Sequence, residues 1–384
     1  MTVTVAKGFV AAGVAAGLKK NGNKDVALVV NQGPRTSAAA VFTTNRCLAN
    51  PVLWSKQAIA DGEIAAIVLN SGGANCYTGP EGFQTTHATA EMVGELLEVS
   101  AGDVLVCSTG LIGDQLDRPK LLSGVTAAAA GLAADNGSAA AEAIMTTDSV
   151  SKTANRISPN GWAIGGMAKG AGMLAPGLAT MLVVITTDAD LPSHVLDAAL
   201  RNATRVTFDR LDSDGCMSTN DTVALMASGA SAVVPTAAEF QQLLTEVCHD
   251  LAQQLLTDAE GSTHDIEIAV TGAATETDAV EVGRVVARNN LFKAAVYGND
   301  ANWGRILAAV GTAKAEFDPY NIDVSINGVS VSRLGQPDQP RDLVDMTPRK
   351  VVIGINLNSG EHCATIYTND LTHAYVTENS EYSS

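Results

Sequence analysis

The strongest constraint on the fold is a set of short, uninterrupted apolar runs. Met181-Leu-Val-Val-Ile185 is one, and Val26-Ala-Leu-Val-Val-Asn31, Ile64-Ala-Ala-Ile-Val-Leu-Asn70 and Asp103-Val-Leu-Val-Cys-Ser108 repeat the pattern. Runs of this length, rich in β-branched residues and bounded by polar or glycine-bearing segments, predict buried strands. Aromatic residues make up only 4% of the 384 residues and glycine occurs 35 times. Packing therefore relies on Ala, Val, Leu and Ile, which suits layered helices and sheets in close backbone contact. Helical spacing appears over 84–98, 118–145, 192–204, 237–258 and 279–288. Strands are also predicted at 38–43, 221–226, 266–270, 324–326, 351–356 and 364–367. Helices and strands alternate, but several strands follow one another directly. The fold class is mixed α/β with helices on the outer layers. No low-complexity linker, internal repeat or domain boundary stands out.

The net charge of −17 argues against nucleic acid and anionic membrane surfaces as partners, since both call for a basic face. The N-terminus lacks a basic region followed by a long apolar one, so no signal peptide is expected. No apolar run is long enough to span a bilayer. The six cysteines form no C-x-x-C pair and read as reduced, mostly buried thiols of a cytoplasmic protein. The six histidines show no metal-ligand spacing, so no metal is expected.

Three loops carry candidate chemistry. The run 181–185 is entered through Lys169-Gly-Ala-Gly-Met-Leu-Ala-Pro-Gly-Leu-Ala-Thr180, a segment of small residues that ends in one hydroxyl. Thr180 at the mouth of a buried strand reads as a nucleophile or as a turn. Ser108-Thr-Gly110 closes another strand, where backbone N–H groups can converge into an oxyanion hole or simply turn the chain. Ser71-Gly-Gly-Ala-Asn75 is a similar polar loop after a strand. The aspartates at 209, 212, 214 and 221 lack the glutamate of an EF-hand and read as a solvated or substrate-facing loop.

Taken together, Cys107-Ser-Thr-Gly-Leu-Ile-Gly113, Met145-Thr-Thr-Asp148, Gly165-Gly-Met-Ala-Lys-Gly-Ala-Gly-Met173, Leu178-Ala-Thr-Met-Leu182, Asp258-Ala-Glu-Gly261, Asn302-Trp-Gly-Arg305 and Asn379-Ser-Glu-Tyr-Ser383 resemble the ornithine acetyltransferases (glutamate N-acetyltransferases) of arginine biosynthesis. The resemblance runs from Lys7 to the last serine. It implies a layered α-β-β-α fold shared with some self-processing aminopeptidases. It also implies self-cleavage between Ala179 and Thr180, giving chains 1–179 and 180–384 that intertwine in one catalytic fold and pair as α2β2, with room for a smaller subdomain in the C-terminal half.

The resemblance further implies acetyl transfer from N2-acetyl-L-ornithine to L-glutamate by a ping-pong route, with Thr180 as nucleophile and no cofactor. Whether acetyl-CoA is a further substrate stays open. Thr109, through its hydroxyl, and Gly110, through its N–H, would form the oxyanion hole. Thr146 or Thr147, Lys169, Thr180, Glu260, Asn379 and Ser384 would contact substrate. Lys169 would pair with a carboxylate, and Glu260 would hold an ammonium, either the ligand's or that of Thr180. Three departures from the family pattern are visible: His264 stands where a lysine is usual, Asp300-Ala-Asn302 replaces Asp-Pro-Asn, and Ser71-Gly-Gly replaces Ala-Gly-Asn. The alternative readings are a self-processed aminopeptidase or amidase that passes the acyl group to water, and an uncleaved ligand-binding protein.

Overall fold

A computed structural model describes residues 2–175 and 181–381; Ala179, Thr180 and Ser384 lie outside the described residues. The chain forms two compact units. The first comprises 1–171, 177–209 and 217–255, and the second 172–176, 210–216 and 256–384.

In the first unit the strands are β1 (Phe9–Val14), β2 (Val26–Asn31), β3 (Ser37–Phe42), β4 (Ala66–Asn70), β5 (Val104–Ser108), β6 (Lys152–Ile157), β7 (Ala163–Lys169), β8 (Leu182–Thr187) and β9 (Thr222–Ala227). Its helices are α1 (Asn50–Ala58), α2 (Gly79–Leu97), α3 (Arg118–Ala130), α4 (Gly137–Ala143), α5 (Ser193–Val206) and α6 (Ala237–Thr257), whose last turn marks the division. One sheet has the order β1-β2-β4-β5 and the other β3-β9-β8-β7-β6.

The two sheets face each other. Val29, Ile67, Leu69 and Leu105 of the first share a core with Ala38, Met167, Val184 and Met226 of the second. On the far side of the first sheet, Val26, Leu28 and Val68 pack against Val93 of α2 and Leu121 and Val125 of α3. On the far side of the second sheet, α5 packs on β3, and Leu251 of α6 lies over Gly166. This is the expected α-β-β-α layering. It explains why β2, β4 and β8 are buried at every position, as their unbroken apolar sequences require.

The second unit contains β10 (Asp265–Ala273), β11 (Asp323–Ile326), β12 (Val329–Arg333), β13 (Gln336–Pro337), β14 (Lys350–Asn356) and β15 (His362–Asn369). They form one sheet in the order β13-β12-β11-β14-β10-β15. Its helices are α7 (Glu276–Ala287), α8 (Asn290–Tyr297), α9 (Trp303–Val310) and α10 (His373–Ser380). β10 and β14 alternate buried and half-buried positions, so only one face of this sheet carries the core. Asn302 caps α9 by accepting from the Arg305 N–H, as its loop suggested.

Three expectations change. The helical pattern over 118–145 is two helices, broken at 131–136. Gly165 and Gly166 sit inside β7: a Cβ on Gly165 would lie 2.3 Å from the Thr2 carbonyl oxygen, so glycine serves close approach there. Cys47, Cys216 and Cys363 are exposed, so only half of the six free thiols are buried. The aspartate segment is exposed only at Gly215 and Cys216, and Asp212 and Asp221 are each 1% exposed. Among the described residues no helix is long and apolar enough to cross a membrane. No group of three or more potential ligands is placed to hold a metal there either.

Candidate active site

In the first unit four strand ends converge. β7 runs antiparallel to β8 with Lys169 opposite Leu182, and β9 runs parallel to β8 with Thr222 opposite the same residue. The end of β5 is drawn in by Asn220, whose Nδ2 donates to the carbonyls of Ser108 (2.8 Å) and Ala74 (2.6 Å). Thr109, Lys169, Met181 and Asp221 are therefore neighbours by register. Position 180 precedes Met181 directly in the chain, and Met181 N–H donates to Asp221 Oδ1 at 3.0 Å. Burial pushes the Asp221 carboxyl well above the usual carboxylate range, against the pull of that bond.

Thr109 is buried, with its N–H on the Asn70 carbonyl and its own carbonyl accepting from Gly73 N–H. Gly110 follows at φ +133°, and a Cβ there would sit 2.8 Å from Gly73 N and Cα. Glycine at 110 is therefore needed for the two backbones to lie this close. The Ser71–Asn75 loop is thus a support for the strand end carrying Thr109. Lys169, at 1% exposed, donates from Nζ to Thr109 Oγ1 at 3.2 Å. That bond occupies an acceptor lone pair of the hydroxyl, so the Thr109 O–H can donate elsewhere.

Asp148 organises the cationic side of this group. Its Oδ1 accepts from Lys152 Nζ and from the Gly170 N–H, each at 2.6 Å, and its Oδ2 from Thr146 N–H at 2.9 Å. Burial raises the Asp148 pKa, but the Lys169 and Lys152 ammoniums and the Gly170 N–H outweigh it and bring it to about 2. The ionised carboxylate thus stabilises the fold fully above the ordinary pKa of 3.8, and that contribution is lost as the pH falls towards about 2. By linkage it amounts to roughly 2 kcal/mol. Urea unfolding of Asp148→Asn between pH 5 and 2 should show that much less acid destabilisation than the unaltered protein. Equal acid slopes for the two would contradict this role.

In the second unit Glu260 is buried, and its carboxylate lies against Gly172: a Cβ there would fall 2.5 Å from Glu260 Oε2. Asn379 of α10 donates from Nδ2 to Glu260 Oε2 at 2.9 Å. Gly261 makes this docking of α10 available, because a Cβ on it would lie 2.3 Å from Tyr375 N. Asp214 receives the Met173 N–H at 2.7 Å and the Cys216 N–H at 3.1 Å. Burial pushes Asp214 upward, partly offset by those backbone bonds. Asp212 is pushed up to about 6 by burial despite the Arg288 guanidinium at 2.7 Å.

The structure thus joins Thr109, Gly110, Lys169 and Thr146 within one unit, and Glu260 with Asn379 within the other. Thr147 follows Thr146 in the same half-buried turn. His264 does not present a free cation. Its Nδ1 lies 2.8 Å from Asp370 Oδ2 and its Nε2 3.2 Å from the Met346 carbonyl. The sequence reading missed Asp148, Lys152, Asp221 and Asp214 as organising groups. The available signal was a charged residue inside or beside an apolar strand, where only a partnered charge is tolerated.

Thr109 and Gly110 at a strand end, with the buried Lys169 ammonium on the threonine hydroxyl, belong to a layered α/β enzyme. A family model described as the ArgJ family matches residues 10–384. The chain is 62% identical over 384 residues, the whole of both chains, to the arginine biosynthesis bifunctional protein ArgJ of Streptomyces avermitilis. It is 60% identical over 383 residues, again the whole of both, to the protein of the same name from Thermobifida fusca. A solved structure of ornithine acetyltransferase complexed with ornithine, from Mycobacterium tuberculosis, is 50% identical over 47% of this chain and 96% of that one, with a TM-score of 0.45. The chain belongs to the ArgJ family.

Proposed function

We propose that the chain transfers the acetyl group of N2-acetyl-L-ornithine to L-glutamate in the cyclic route of arginine biosynthesis, as a cytoplasmic acyltransferase. The observation that supports this most is the strand-end pair of Thr109 and Gly110 with Lys169 Nζ on the threonine hydroxyl. Thr180 first attacks the Ala179 carbonyl in an N-to-O acyl shift. Hydrolysis of the resulting ester leaves chains 1–179 and 180–384, assembled as α2β2. The freed α-amine of Thr180, with a reference pKa of about 8, can take the hydroxyl proton directly or through water.

The Thr180 oxygen then adds to the acetyl carbonyl. Negative charge collects on the carbonyl oxygen and is met by the Thr109 O–H and the Gly110 N–H. The C–N bond breaks, the proton held by the Thr180 amine passes to the leaving nitrogen, and ornithine departs. The neutral amine of glutamate attacks the acetyl-threonine ester, the threonine oxygen regains a proton, and N-acetylglutamate leaves. Lys169 pairs with a substrate carboxylate, Glu260 with an ammonium, and Thr146 or Thr147, Asn379 and Ser384 complete the contacts. The chemistry needs no cofactor or metal. The relatives' name calls them bifunctional, and acetyl-CoA is the second acetyl donor we propose.

Incubation with acetyl-labelled N-acetylornithine and glutamate, with the protein's intact mass recorded alongside, tests this reading. Label in N-acetylglutamate with stoichiometric ornithine, from protein that runs as two fragments, is expected. Labelled acetate in place of N-acetylglutamate would make the protein an amidase.

A further inference from the structure

The free α-amine that serves acetyl transfer does not exist before the cut. In the precursor the Thr180 nitrogen is an amide, which is no base. Yet the N-to-O shift must remove a proton from the hydroxyl and place one on that nitrogen. Another group has to carry both protons.

Asp148 and Asp221 both belong to the first unit and flank its converging strand ends, in opposite states. Asp148 is ionised and engaged: its oxygens accept from Lys152 Nζ, Gly170 N–H and Thr146 N–H, and its pKa is brought to about 2. Lys169 turns its ammonium to the Thr109 hydroxyl. Asp221 differs. Its Oδ1 accepts from Met181 N–H at 3.0 Å, which anchors the carboxyl one peptide bond from residue 180. Its Oδ2 is buried with no hydrogen-bond partner among the described residues. Burial is the largest influence on this carboxyl, and Asp209 adds to it. Together they outweigh Met181 N–H, the nearby Ser218 hydroxyl and the Lys169 ammonium, and favour the protonated form. An orphaned buried oxygen is costly to keep, and a reaction at the site is a reason to keep it.

Resting on the self-cleavage reading, we propose that Asp221 is the proton carrier of that step. As the Thr180 oxygen bonds to the Ala179 carbonyl carbon, the carboxyl takes the hydroxyl proton and its Oδ2 proton passes to the Thr180 nitrogen. The C–N bond breaks, leaving an ester and a free amine. Asp221 ends with one proton, as it began.

The test uses precursor made by cell-free translation, with loss of the 384-residue species followed by intact mass. Asp221→Asn keeps an oxygen for Met181 N–H but no proton carrier, and it is expected to cut about 10²- to 10⁴-fold more slowly. A rate within tenfold of the unaltered chain overturns the proposal. So does release of both fragments from the variant by hydroxylamine, which would show that the ester forms and only its hydrolysis lags. A pH profile separates proton transfer from mere support of the backbone. The unaltered chain should cut more slowly as rising pH ionises Asp221, and the residual cutting of Asp221→Asn should lack that fall; the same fall in both overturns the assignment. If Asp221→Asn does not melt cooperatively near the uncut Thr180→Ala chain, Asp221→Glu decides. It retains a proton and is expected to cut, and a folded Asp221→Glu that stays whole overturns the proposal. Failure of the parent reading looks different, since the unaltered chain would then never be cut before residue 180.

Discussion

Thr180→Ala is expected to remain a single chain of 384 residues and to lose acetyl transfer by about 10⁵-fold or more, the scale seen when the nucleophile of a catalytic triad is removed. Two losses combine. Without the hydroxyl there is no N-to-O shift, so the α-amine is never freed. Without either group there is no covalent acetyl-enzyme and no internal base. The frame around position 180 should survive, because Met181 N–H and Asp221 Oδ1 meet through backbone and an untouched carboxyl. Intact mass under denaturing conditions reads the first effect and turnover the second. Two fragments from the variant, or activity within tenfold of the unaltered protein, would remove Thr180 from the mechanism.

The second large effect is expected at Thr109. Thr109→Ala should lower kcat by about 10²- to 10³-fold while KM values stay within a few fold, because an oxyanion donor acts mainly once charge has developed. Lys169 sharpens the expectation. Its ammonium holds Thr109 Oγ1 at 3.2 Å, so the hydroxyl is oriented before substrate arrives and needs no reorganisation in the transition state. Thr109→Ser keeps the oxygen and should recover most of the loss. If alanine and serine behave alike, the Gly110 N–H carries the oxyanion without help from the side chain.

Much of this was legible in the chain itself. The fully buried strands β2, β4, β5 and β8 announce themselves by apolar runs, and family motifs mark the end of β5 and the entry to β8. β7 did not, since its paired glycines mimic a turn signal while serving contacts with Thr2 and Leu251 that are remote in sequence. Asp148 lay inside a recognised motif, yet its role depends on Lys152 and Lys169, and only the fold brings those charges onto one carboxylate. His264 stands where the family usually has a lysine, and only the fold reveals Asp370 as its buried partner. Asp214 sits in a polar loop and Arg288 at the end of a largely apolar helix, yet both line one cavity of the second unit. What makes them notable is the shared cavity, a property that no local pattern encodes.

The strand order β3-β9-β8-β7-β6 has a further consequence. A cut before residue 180 falls between β7 and β8, which pair along their full length from Ile164–Thr187 to Lys169–Leu182. β3, β7 and β6 would then belong to one polypeptide, and β9 and β8 to the other. Neither fragment holds a contiguous piece of this sheet larger than a pair of strands. Before the cut, folding is a one-body event, and its rate does not depend on how much protein is present. Afterwards the same sheet can be rebuilt only by the meeting of two chains, so recovery after denaturation becomes a matter of concentration. Maturation by that cut would therefore give the molecule a history: the precursor could refold unaided, whereas the cut enzyme, once melted in dilute solution, would have lost the connection that first brought its strands together.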